Sequence, residues 1–123
     1  MTLIDQPAFD LSRFAADYAE ARAKFLGAAE AAGALLARYE NPNKGPHGED
    51  LFLDTAWLGS KDAQKVLAIV SGTHGPEGFC GSGCQVDWLS KSRGATGRDR
   101  LLILTWLESV RFRLAAAADG GEC

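Results

Sequence analysis

The sequence predicts an α/β fold, a long amino-terminal helix followed by the first strands of a mixed sheet, and three observations carry that prediction. From Leu11 to about Tyr39 the chain is rich in Ala, Leu, Glu and Arg, and Phe14, Tyr18, Ala21, Phe25, Ala28 and Ala32 recur at the spacing of one helical face. Two short runs, "LFLDTAWLG" and "KVLAIVSG", then read as strands. The second run passes through a cluster of glycines into "FCGSGCQVDWLS", which starts a further helix.

Each element has a local justification. Asp10 or Ser12 can cap the first helix, because a short side-chain oxygen accepts from the exposed amides of a first turn, and Gly33 weakens the helix near its end. The aromatic stripe of this helix is expected to pack against the sheet. "ENPNKGPHGED", residues 40 to 50, combines two prolines and two glycines with Asn, Asp and Lys, so it reads as a turn in which His47 is solvated. "LFLDTAWLG" alternates loosely, as a strand does. "VLAIV" is continuously apolar, the pattern of a strand buried on both faces.

That buried strand delivers "SGTHGPEGFCGSG", residues 71 to 83, to the carboxyl edge of the sheet, where open α/β folds hold their ligands. His74 and Glu77 stand three apart in this stretch, among five glycines. Imidazole and carboxylate are both competent zinc ligands, and a catalytic zinc takes three protein groups and keeps one position for water. Glycines beside them permit unusual backbone angles and close approach of a substrate. The competing reading is a strand-to-helix turn whose histidine caps or packs, with Glu77 placed near a helix N-terminus.

Composition narrows the function classes. The 123 residues are 46% hydrophobic and 24% charged, enough for one globular core, and the formal charge of −3 offers no footprint for nucleic acid or an anionic membrane surface. No window approaches the roughly 18 apolar residues of a membrane span, and the first residues lack a basic, then apolar, leader, so the chain reads as cytoplasmic. Cys80, Cys84 and Cys123 are an odd count without framework spacing, and they are expected to be free thiols. "GFCGSG" lacks the lysine of a phosphate loop.

"VLAIVSGTHGPEGFCGSGCQVDWL", preceded by "FAADYAEARAKFLGAAEAAGA" and "NPNKGPHGEDLFLDTAWLG", resembles the amino-terminal part of a bacterial family of unknown function. That family sits in the zinc carboxypeptidase superfamily, beside the succinylglutamate desuccinylase and aspartoacylase deacylases. The resemblance covers residues 8 to about 89 and implies the beginning of a zinc-carboxypeptidase-like sheet. It implies one zinc ion with His74 and Glu77 as two of its three ligands, and a zinc-bound water attacking the amide of a small peptide or acyl-amino acid. An aliphatic residue is usual between Gly75 and Glu77, so Pro76 is a departure that stiffens the turn. A downstream histidine, a glutamate general base and substrate-binding arginines complete such sites. None of these is identifiable here, since no histidine follows Trp88.

From residue 90 onward the composition shifts to Arg, Ala and Gly, and the resemblance stops. With G/C-rich codons, "TWLESVRFRLAAAADGGEC" read one base later can spell HGLNPYGFAWLRRRTEENV. That string resembles the Asn-Pro-Tyr-Gly-Phe segment the family carries next. The tail is therefore expected to be a frameshifted read-through, with the slip between Leu89 and Leu101. The rival is a genuine amphipathic helix over "LLILTWLESVRFRLAAA", with Leu101, Leu104, Leu107 and Phe112 on one side. Two functional readings follow. One is a truncated, inactive zinc hydrolase; the other is a small stand-alone α/β binding or interaction domain without metal.

Overall fold

The computed structural model describes residues 10–91 and 100–105. They form two helices and a four-stranded mixed sheet in the order β1-β2-β4-β3. A short 3-10 turn, Leu11–Arg13, precedes helix α1, Tyr18–Ala31; then come β1 (Leu35–Lys44), β2 (Asp50–Leu58), β3 (Val66–Val70), α2 (Gly78–Lys91) and β4 (Arg100–Thr105). β1–β2 and β2–β4 pair antiparallel, and β3–β4 pair parallel.

The first helix is shorter than its apolar pattern suggested, and both ends have a chemical cause. Asp10 caps only the 3-10 turn, accepting from Ser12 N at 3.0 Å. Asp17 starts α1 instead, accepting from Glu20 N at 2.8 Å, while the Glu20 carboxylate reaches back to Ala16 N at 2.9 Å, a near relative of the capping box. At the other end Gly33 takes φ +77°, with Gly33 N donating to Glu30 O and Ala34 N to Ala29 O. These two bonds are a Schellman stop. The expected continuation to Tyr39 is thus corrected: Leu35–Lys44 is strand, and the turn expected over residues 40–50 shrinks to the loop around Gly45 and Gly48.

Both helices pack on one face of the sheet. Phe25 and Ala29 of α1 and Val86 and Leu89 of α2 meet Ala56, Leu58, Leu101 and Ile103 in one core, and Tyr18, Ala21 and Leu51 form a smaller cluster beside it. The aromatic stripe does face the sheet, with Tyr18, Ala21, Phe25 and Ala29 buried. Burying Phe25 completely contributes about 2–3 kcal/mol. Close by, Asp54 is fully buried and accepts from Arg22 Nε and Nη2 at 2.7 and 3.0 Å. The Arg22 guanidinium also lies over the Phe52 ring, 4.2 Å from its centroid.

β3 departs from expectation. Its five residues are all exposed, so the continuously apolar run is not buried on both faces. Among the described residues β3 is an edge of the sheet, and α1 and α2 cover only one face. The other face carries Leu53, Trp57, Leu102 and Leu104 by alternation and register. Residues 101–105, which the rival reading placed in a helix, are strand paired on both sides. The remainder of that tail, with Cys123, lies outside the described residues.

Candidate metal centre

The loop that carries His74 and Glu77 begins where the parallel ladder ends. Ser71 N still donates to Leu104 O at 3.0 Å, and then Gly72 (φ +73°) and Gly75 (φ +105°) turn the chain back through conformations that strain any residue with a Cβ. The first bonds of α2 follow at once, Gly78 N to Gly75 O and Cys80 N to Glu77 O. His74 lies between the two reversing glycines, and Glu77 directly precedes α2.

These two side chains do come together. His74 Nδ1 stands 3.7 Å from Glu77 Oε1, and both are largely exposed, at 71% and 62%. Zinc bonds to nitrogen and oxygen of about 2.0–2.2 Å at a tetrahedral angle need donors roughly 3.3–3.5 Å apart. A rotamer adjustment of a few tenths of an ångström would bring both onto one ion, so these two donors are compatible with zinc in type and spacing and make up two of the three a catalytic site needs. Among the described residues no group of three or more His, Cys, Asp or Glu side chains converges. His47 sits exposed in the β1–β2 loop, where its backbone N–H donates to Glu49 at 2.8 Å. Cys80 and Cys84 are exposed free thiols on α2, and burial chiefly holds the Cys84 thiol above its usual pKa.

A family described as "Protein of unknown function (DUF2817)" matches this chain over residues 14–105. The chain belongs to that family. The DUF2817 match takes in both helices and all four strands, and it runs past residue 89, where the resemblance in sequence had stopped, to the end of β4. No curated protein matches the chain. No helix among the described residues of this DUF2817 domain is long and apolar enough to cross a membrane.

Three residues next to the loop escaped the reading of the sequence. Gln85 of α2, Ser71 at the end of β3 and Thr105 at the end of β4 are all buried and joined by hydrogen bonds. Gln85 Nε2 donates to Leu104 O at 3.1 Å and to Ile69 O at 3.4 Å, so its Oε1 is the acceptor for Ser71 Oγ–H at 2.9 Å. Since Ser71 donates there, the 3.2 Å contact runs from the Thr105 hydroxyl to Ser71 Oγ. Gly81 lets α2 approach this closely, because a Cβ there would lie 2.9 Å from Ser71 Cβ. Glutamine, serine and threonine read as surface in a hydropathy pattern, so only a three-dimensional arrangement exposes them as a set.

Proposed function

We propose that this DUF2817 domain is the amino-terminal part of a zinc-dependent hydrolase acting on an amide of a small peptide or acyl-amino acid. The observation that carries the reading is the pairing of His74 Nδ1 and Glu77 Oε1 at 3.7 Å, on a glycine-reversed loop at the carboxyl end of a parallel strand. His74 and Glu77 would hold the ion. When bound, zinc supplies Lewis-acid polarisation of the amide carbonyl and lowers the pKa of a water ligand. The chain's own part is to present the two donors together and in the open, where a substrate can reach them.

The third ligand and the general base belong, in this proposal, to sequence that the shifted reading frame encodes, which makes the chain as written inactive. The family match to Thr105 and the pairing of β4 on both sides support the given frame through most of β4. The proposed slip therefore moves from the Leu89–Leu101 interval to the neighbourhood of Thr105, where the shifted string begins. Sequencing the gene from Trp88 onward tests this part. A one-base change that opens a frame with Asn-Pro-Tyr-Gly-Phe supports it, and an intact frame without such sequence favours the stand-alone domain.

Metal binding tests the site itself. Two protein ligands without a third bind zinc weakly, so the expected result is weak, saturable Zn2+ binding by calorimetry that His74→Ala and Glu77→Gln each abolish. Equal binding by wild type and His74→Ala would remove the metal reading.

A further inference from the structure

We propose that Gln85 is a positioning residue for the metal loop, acting through Ser71 and Thr105 to hold His74 and Glu77 in their paired geometry. The inference rests on the metal reading above and adds to it a residue that touches neither donor. Its basis is the direction of the hydrogen bonds. The Gln85 amide spans both parallel strands, donating to the carbonyl oxygens of Ile69 on β3 and Leu104 on β4 and accepting from Ser71 Oγ. Leu104 O also accepts from Ser71 N, the last ladder bond before the loop.

One side chain on α2 thus fixes both ends of the loop. Glu77 directly precedes that same helix, and Ser71 is three residues before His74. Tilting α2 away from the ends of β3 and β4 would move Glu77 relative to His74 and open the 3.7 Å separation. The polar atoms of the latch are satisfied within it: Gln85 is 5% exposed, Ser71 7% and Thr105 0%. A buried amide that loses its partners is costly, so the latch has one favoured arrangement. Among the described residues the side-chain contact of His74 and Glu77 is with each other, so the placement of the loop that carries them rests on its backbone and on the latch beneath it.

The experiment is a Co2+ titration of the full chain, followed by absorption spectroscopy, on wild type, His74→Ala, Gln85→Met, Thr105→Val, Thr105→Ser and Leu51→Ala. Thermal unfolding and amide hydrogen exchange of residues 71–80 are measured alongside. Gln85→Met keeps the length of the side chain without its polar atoms, and Thr105→Val keeps the shape without the donor. Both are expected to weaken His74-dependent Co2+ binding by about tenfold and to speed exchange in the loop. Thr105→Ser restores the donor and should bind as wild type does. Leu51→Ala, in the separate cluster with Tyr18 and Ala21, should lower the melting temperature and leave affinity unchanged. Should Gln85→Met fail to fold, Thr105→Val against Thr105→Ser decides. His74-dependent binding that Gln85→Met and Thr105→Val leave intact overturns the latch alone. Binding that His74→Ala does not alter overturns the metal reading and the latch with it.

Discussion

The two sides of the sheet are finished to different degrees. On the β1–β2 side, α1 is capped at both ends, Arg22 neutralises the buried Asp54, and the Tyr18 hydroxyl bonds Phe52 through both its N–H and its C=O. The outer strand there, β1, carries Arg38, Glu40, Pro42 and Lys44 and has a register irregularity between Asn41 and Lys44, all of which discourage pairing with another chain. On the β3–β4 side, polar satisfaction is concentrated in the Gln85 latch, and among the described residues β3 is an apolar edge with no charge in Val66–Val70. Among the described residues, one edge carries features that oppose strand addition. The other supports a loop of functional interest and leaves apolar surface beside it.

The largest way to break that comparison is to undo the ion pair that anchors the finished side. Arg22→Leu leaves the Asp54 carboxylate fully buried without its bidentate partner, and the expected loss is about 3 kcal/mol in urea unfolding. Asp54→Ala should cost less, because the Arg22 side chain is 19% exposed and can turn its charge toward water. Equal losses for the two variants would mean that the burial of Asp54 is not what makes the pair matter.

A smaller effect isolates Tyr18. Removal of its hydroxyl in Tyr18→Phe leaves Phe52 N and O without that partner, at an expected cost of about 1–2 kcal/mol. The same residue has a pH signature. Burial raises the folded Tyr18 pKa above its usual 10.0, against the opposing pull of the Phe52 hydrogen bond. The unfolded tyrosine ionises first as pH rises through that value, so stability is fully present below it and falls as pH climbs toward the folded pKa. Tyr18→Phe should flatten the alkaline slope of a stability-against-pH curve. An unchanged slope would assign it to other groups.

What the sequence made legible was whatever a one-dimensional pattern encodes. The glycines at 72 and 75 announced a reversed loop, "VLAIV" announced a strand, and the His74–Glu77 spacing announced two side chains on one turn, which the structure places 3.7 Å apart. The end of α1 was present too, in Gly33, but alanine and leucine continue a helical period across residues 28–36 and masked the stop. Burial of Asp54 and Gln85 could not be read, because both residues are surface types unless a partner from a distant segment meets them. Arg22 lies 32 residues from Asp54, and Gln85 lies 14 from Ser71. The exposure of β3 was misread for the same reason: a continuous apolar run records what a strand is built to meet, whereas burial depends on which neighbours stand beside it.

The smallest change in stability carries the sharpest statement about the unfinished side. Leu67 is the most exposed residue of β3 among its large apolar side chains, at 62%, and it points to the helix-covered face beside Ile69. Leu67→Lys removes little buried contact, so stability should stay within about 0.5 kcal/mol of wild type. A charge in the middle of an edge strand opposes strand addition strongly, because a second strand would have to bury it. Wild type is expected to self-associate in light scattering as concentration rises, and Leu67→Lys should shift that onset upward while its melting curve is unchanged. Tyr39→Lys on the opposite edge is the paired control. Tyr39 is 58% exposed, nearly as much as Leu67, but its strand already carries charges, so the variant should associate as wild type does. If both variants suppress association equally, exposed apolar area in general drives it, and the contrast between the two edges carries no weight. If only Leu67→Lys does, association runs through the β3 edge, beside the loop that carries His74 and Glu77.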